Sequence, residues 1–101
     1  MESPTIIDVW TVDRSRREEL LERVLELLRD VVAKQPGFVA AQVYESTDEG
    51  AVMVSVRMRS IKERQELTDS AGMVTALREL RAIAHSQMRL YRLIESFGEG
   101  A

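Results

Sequence analysis

The stretch that most constrains the fold runs from Gln35 to Ser46, because it ends a helix, turns the chain and begins a strand. Pro36 cannot continue a helix, and it biases the residue before it away from the helical region. Gly37 supplies the backbone freedom that a tight helix-to-strand turn requires. Beyond the turn, the aromatic and β-branched residues between Phe38 and Ser46 are typical of a strand.

The elements next to this turn follow from their apolar patterns. Thr5 to Val12 is rich in β-branched and aromatic residues and predicts a strand. From Arg16 to Lys34, apolar residues recur at helical spacing and predict a long amphipathic helix. After the second strand, the polar residues and glycine of 47–50 predict a hairpin turn, with Ala51 to Arg59 as its partner strand.

The second half of the chain begins with a helix-start signal. Ser60 is followed three residues later by Glu63, which is the spacing of a capping box. We expect two short helices, Ile61 to Thr68 and Gly72 to Ala84, and then a last strand from Gln87 to Phe97.

The resulting order is strand, helix, two strands, a broken helix and a strand, which is that of an α+β ferredoxin-like fold with an antiparallel sheet. At 101 residues the chain has room for a single core. We therefore expect one domain over residues 1–101, with its core in residues 5–97 and a frayed tail at residues 98–101.

Composition excludes several classes of function. The formal net charge of −3 provides no basic field, so we expect neither nucleic-acid nor membrane binding. Without cysteine, the chain cannot form a disulfide, a thiolate nucleophile or an iron–sulfur cluster. The sequence begins without a signal-peptide pattern and contains no apolar run of membrane-spanning length. We expect a cytoplasmic protein.

Alternation along the strands predicts two sheet faces of different character. The face expected under the helices is almost entirely apolar: Ile7, Val9, Val39, Ala41, Val43, Val52, Val54, Val56, Met58, Tyr91 and Leu93. The other face mixes apolar and polar residues: Asp8, Trp10, Phe38, Ala40, Gln42, Tyr44, Met53, Ser55, Arg57, Leu90, Arg92 and Ile94. An exposed patch of this kind marks an interface, so we predict a homodimer in which two such faces meet.

Three runs of residues resemble the antibiotic biosynthesis monooxygenase family: Pro36 to Val43, Arg59-Ser60 at a helix start, and Leu90 to Ser96. The resemblance spans nearly the whole chain, from Thr5 to Phe97. It implies a dimeric α+β barrel in which each subunit holds a small-molecule pocket between its sheet and its helices. The family includes cofactor-independent oxygenases of aromatic polyketides and haem-degrading enzymes, together with many proteins of unknown role.

The sequence departs from this family at the positions associated with catalysis. The polyketide oxygenases have an asparagine and a tryptophan four residues apart near the end of the third strand, and Val54 and Met58 occupy the matching positions here. The haem-degrading branch has an asparagine on the first strand, where this chain has Val9, and an axial histidine within a helix. His85 lies just before the last predicted strand, which disfavours haem.

Three residues are candidates for acid–base and oxyanion roles, namely Tyr91, His85 and Arg57. His85, the only histidine, fits an exposed helix C-terminus better than a catalytic role, and a lone histidine without cysteine predicts no metal site. Tyr91 can either donate a hydrogen bond to a ligand in the pocket or pack as a core residue.

Two further sets of residues are predicted to contact a ligand or a second subunit. The predicted substrate-contacting residues are Val9, Val54, Met58, Met73 and Leu77. The predicted dimer-interface residues are Trp10, Phe38, Tyr44 and Arg92. Trp10 and Tyr44, with Arg57, fit either a ligand cavity or interface anchors, and Asp8 is placed beside Arg57 or Arg92 as an ion pair.

Our leading hypothesis is a homodimeric monooxygenase-like protein that acts on a planar, largely apolar small molecule without a metal or other cofactor. In this chemistry the protein deprotonates an activated phenol, and the substrate itself reduces dioxygen. The alternatives are a non-catalytic binding or accessory protein with a closed pocket, and a polyketide cyclase or isomerase that needs only acid–base groups.

Overall fold

The computed structural model describes residues 3–98 and has the expected α+β ferredoxin-like fold. Four strands form one antiparallel sheet in the order β2-β3-β1-β4. The strands are β1 (Thr5–Thr11), β2 (Phe38–Glu45), β3 (Ala51–Met58) and β4 (His85–Tyr91). Residues 99–101 of the predicted tail lie outside the described residues. No helix within residues 3–98 has the length and hydrophobicity needed to cross a membrane.

The first helical region is less regular than its sequence predicts. It begins with a 3-10 turn, Arg14–Arg16, continues as α1, Arg17–Leu27, and closes with a π turn, Leu28–Val32. In the π turn, the Ala33 N–H donates to the Leu28 carbonyl oxygen at 2.8 Å, one residue further along than in an α-helix. Gly37 then reverses the chain at a positive φ of 83°, as the turn prediction requires.

The broken second helix is confirmed as two helices, α2 (Ile61–Asp69) and α3 (Ala71–Arg81). Each begins at a serine cap. The Ser60 Oγ accepts a hydrogen bond from the Glu63 N–H at 3.1 Å and donates to the Glu63 carboxylate at 2.9 Å, so Ser60 caps α2 as predicted. The Ser70 Oγ accepts from the Met73 N–H at 3.3 Å, which explains the break.

The core lies between the helices and one face of the sheet. β3 fills the centre of this face as predicted, with Val52, Val54, Val56 and Met58 buried. Leu20 and Val24 of α1, Leu67 of α2 and Leu80 of α3 pack onto it from the helical layer. We call the uncovered side of the sheet the open face; it carries Ile7, Val9, Gln42, Tyr44, Met53, Ser55, Arg57, Arg89 and Tyr91.

The predicted orientation of β1 is wrong. Asp8 is directly opposite Val54, and Trp10 is directly opposite Val52. Residues directly opposite one another in an antiparallel pair point to the same face, so Asp8 and Trp10 lie under the helices, and Ile7 and Val9 lie on the open face. Because β1 is apolar on both faces, alternation could not decide between the two orientations, and the single charge misled the assignment.

A bulge changes the orientation at the start of β2. Phe38 is opposite Met58, whereas Ala40 is opposite Arg57, so Val39 is the extra residue. Phe38 therefore packs against the core instead of lying on the open face. After the bulge, Ala41 and Val43 point towards the helices, as predicted.

The last strand is shorter than predicted because its partner ends. The only neighbour of β4 is β1, which begins at Thr5, directly opposite Tyr91. This register places Tyr91 on the open face, so its predicted position under the helices is wrong. Residues 92–98 form no regular element, and Leu93 and Ile94 are 70% and 89% exposed.

Candidate functional site

A small cavity lies between the sheet and the helices, and we call it the sheet–helix cavity. Its volume is about 40 Å³, enough for a water molecule but far below the several hundred Å³ of a typical ligand pocket. Strands supply its floor and helices its roof. The lining residues are Ile6, Asp8, Trp10, Val24, Leu27, Leu28, Val32, Val54, Val56, Leu67, Met73, Leu77, Leu80 and Met88.

Asp8 is the one ionisable residue in this lining. It is only 7% exposed, and its Oδ1 has no hydrogen-bond partner in the described part of the chain. A buried polar atom without a partner costs stability, so such an atom in a folded protein calls for an explanation. One such explanation is a role in proton transfer or ligand binding.

The local sequence explains why Asp8 has no partner. Its neighbours across the sheet are Val54 on β3 and Met88 on β4, and neither side chain can donate a strong hydrogen bond. Trp10, two residues along the same face, is 2% exposed and contributes the indole wall of the cavity. The carboxyl group therefore faces an almost wholly apolar space.

Burial raises the pKa of the Asp8 carboxyl above its usual range, because an apolar environment disfavours the charged form. The positive field of Arg81, at the end of α3, opposes this effect only in part. A carboxylate with a raised pKa is a stronger base than an exposed one.

The cavity wall contains an irregular helical segment and two flexible methionine side chains, one in the helical roof and one on the edge strand. The π turn contributes Leu28 and Val32, and α3 contributes Met73 and Leu77. Met88, on the edge strand, is 44% exposed although it lines the cavity, so the cavity approaches the surface there. Unbranched methionine side chains adapt readily, and these two give the cavity a wall that can move.

The structure brings together only some of the residues predicted to contact a substrate. Val54, Met73 and Leu77 line the cavity. Val9 lies on the open face and is 37% exposed, while Met58 is buried in the core away from the cavity lining.

The three predicted catalytic residues do not line the cavity. Arg57 and Tyr91 lie on the open face, as the strand registers show. His85 is opposite Thr11 and Tyr91 is opposite Thr5, so these two residues occupy opposite ends of β4. Six residues of extended strand separate them by about 20 Å, too far for one chain to combine them in a single proton-transfer step.

Of the predicted interface residues, Trp10 and Phe38 are corrected to positions under the helices, whereas Tyr44 is 53% exposed on the open face. Arg92 is exposed just beyond β4. The predicted ion pair of Asp8 with Arg57 or Arg92 is also wrong, because Asp8 points to the opposite side of the sheet from Arg57.

Sequence reasoning therefore missed the buried position of Asp8 in the cavity. The available signal was its position between Ile6 and Trp10 on one side of a strand whose other side, Ile7 and Val9, is equally apolar. A carboxylate alternating with large apolar residues signals either a solvent-facing strand or a buried functional group. Only the pairing with β3 distinguishes the two.

The candidate site is therefore a buried carboxyl group in an apolar cavity of a small ferredoxin-like domain. The sequence model of the antibiotic biosynthesis monooxygenase family matches residues 5–58, a span that includes Asp8 and Val54. The chain belongs to this family. No curated protein has a matching sequence.

Solved structures with the same fold are distant in sequence. SnoaB, a cofactor-independent oxygenase from Streptomyces nogalater, is 19% identical with a TM-score of 0.79, over 98% of this chain and 100% of its own. A proposed antibiotic biosynthesis monooxygenase from Deinococcus radiodurans is 10% identical with a TM-score of 0.83, over 96% of this chain and 98% of its own. At these identities the likeness establishes the fold alone.

Proposed function

We propose that this protein is a cofactor-independent monooxygenase-like enzyme that binds a planar, largely apolar compound in the sheet–helix cavity and transfers its proton to Asp8. The observation that carries the proposal is the buried, unpartnered Asp8 carboxyl among apolar side chains. Membership of the monooxygenase family and the shared fold of the oxygenase SnoaB support the reaction class.

The chemical role of Asp8 is that of a general base. The ionised carboxylate accepts the proton of an activated phenol or its keto form, leaving an electron-rich anion. That anion supplies the electrons to dioxygen. One oxygen atom remains on a ring carbon as a carbonyl group. The other leaves as water with the proton that Asp8 accepted and the remaining hydrogen of that carbon, which restores the carboxylate. The substrate thus provides all the reducing equivalents.

The cavity must open for a ring to enter, since about 40 Å³ is less than one ring occupies. Met73 and Met88 stand on two different elements that line it, and both have unbranched side chains. We assign the opening to displacement of these side chains, which leaves the backbone of the sheet and Asp8 in place.

The test is oxygen uptake with anthrone-like phenols. Asp8→Asn keeps the shape of the side chain and removes the base, so we expect the rate to fall by at least about a hundred-fold. Asp48→Asn makes the same chemical change in an exposed turn and serves as the matched control. Loss of uptake in Tyr91→Phe and Arg57→Ala, with Asp8→Asn unaffected, would move the reaction to the open face and reject the proposal.

One observation favours a second function, a non-catalytic binding or accessory role. The cavity is nearly filled and carries one ionisable group, whereas active sites usually combine several polar groups around a substrate. Wild-type protein that binds an aromatic compound but consumes no oxygen with any phenol in the series would support this function over the first.

We also propose that two copies pair through their open faces in the cytoplasm. Four large apolar side chains on or beside this face are exposed: Val9, Val39, Tyr44 and Tyr91. An exposed patch of this composition is costly in water and is covered when two sheets pack together. Light scattering should give the mass of a dimer at micromolar concentration; a stable monomer would contradict this.

A further inference from the structure

The sheet–helix cavity has a charge preference that its shape alone does not suggest. Its lining contains one acidic residue and no basic one within the described chain. Arg81 acts on Asp8 through its positive field and is absent from the lining. A ligand in the cavity therefore meets Asp8 without a neutralising partner.

We propose that the cavity admits uncharged aromatic compounds bearing a carbonyl or hydroxyl group, and that Asp8 excludes the corresponding anions. This inference rests on the proposed function, whose cavity and carboxyl it shares. An uncharged ligand gains apolar contact on both ring faces and one hydrogen bond to the Asp8 oxygen that has no partner. A carboxylate ligand would instead lose its hydration and face a like charge.

A matched pair of ligands isolates charge from shape. Naphthamide and naphthoate have the same ring and the same carbonyl position, but only naphthoate is ionised near neutral pH, since carboxylic acids titrate near pH 4. Binding can be followed by NMR of methyl-labelled methionine, because an aromatic ring shifts the resonances of methyl groups that it contacts.

The methionines supply their own controls. Met73 and Met88 line the cavity, whereas Met53 lies on the open face and Met58 is buried outside the lining. We expect naphthamide to shift Met73 and Met88 and to leave Met53 and Met58 in place. Naphthoate should need a concentration at least about ten-fold higher for the same shifts.

Asp8→Asn tests the origin of the preference. Without the carboxylate, the affinity ratio between the two ligands should shrink at least about three-fold, and an unchanged ratio would overturn the inference. The wild-type comparison stands even if this variant fails to fold. Equal affinities for the two ligands in the wild type would also overturn it, while leaving the proposed function to the oxygen-uptake test.

If neither ligand shifts Met73 and Met88, the cavity is not an aromatic-binding site, and this inference fails with it. Oxygen uptake that persists in the wild type would then show that the reaction occurs elsewhere. If uptake is also absent, the proposed function fails independently.

Discussion

Asp8 is the residue on which the proposed chemistry depends, and its burial has a thermodynamic cost. Folding places a carboxyl group where one oxygen has no hydrogen-bond partner and the surroundings are apolar. Functional groups of this kind are retained at the expense of stability. The Asp8 carboxylate should therefore stabilise the folded protein less than an uncharged side chain of the same shape would.

We predict that Asp8→Asn stabilises the protein by about 1–2 kcal/mol at mildly alkaline pH. Because the folded-state pKa of Asp8 is raised, the folded protein binds this proton more tightly than the unfolded chain does. The free energy of unfolding of the wild type should therefore rise as the pH falls through the folded-state pKa towards that of the unfolded chain, and the stability advantage of the variant should narrow over this range. Urea unfolding at several pH values measures this difference.

Asp48→Asn is a control for which we expect a change in stability of the opposite sign. The Asp48 carboxylate accepts hydrogen bonds from Ser46 at 2.7 Å and from the Gly50 N–H at 3.0 Å, and these lower its pKa. Its contribution is present above the usual aspartate pKa and is lost as the pH falls through the lowered value. The variant should thus be less stable at mildly alkaline pH. Destabilisation by Asp8→Asn at that pH would contradict our account of the cavity.

At the scale of elements, periodic segments were predictable, but the orientations of β1 and of Tyr91 in β4 were not. The helix beginning near Arg16, the hairpin at residues 47–50 and the Ser60 cap follow from local rules, and the structure has all three. Which face of β1 is buried depends on its pairing with β3, because both faces of β1 are apolar.

Two irregularities account for much of the remaining difference. The bulge at Val39 reverses the orientation of Phe38 relative to the rest of β2. The π turn at Leu28–Val32 directs two apolar side chains into the cavity, from a segment whose sequence predicts an ordinary α-helix. Neither has a signature in residue composition, so the cavity could not be assembled from the sequence, although three of the predicted substrate-contacting residues, Val54, Met73 and Leu77, line it.

At the scale of the whole molecule, the fold separates two surfaces with different roles. The helical side encloses Asp8, and the open face exposes apolar side chains suited to a second subunit. The sheet between them is one strand layer thick, so pairing of two open faces would leave the cavity of each subunit accessible near Met88. Dimerisation and ligand binding are therefore compatible in one molecule.

The measurement that tests the central claim most directly is the ionisation of bound para-nitrophenol, whose anion is coloured. Asp8 and the bound phenol titrate as a coupled pair, and a negative charge on Asp8 opposes a second one on the phenol. The coloured form should therefore appear at higher pH in the wild type than in Asp8→Asn, where only the apolar surroundings oppose ionisation of the ligand. Identical ionisation of the ligand bound to both proteins would contradict the assignment of Asp8 as the proton acceptor.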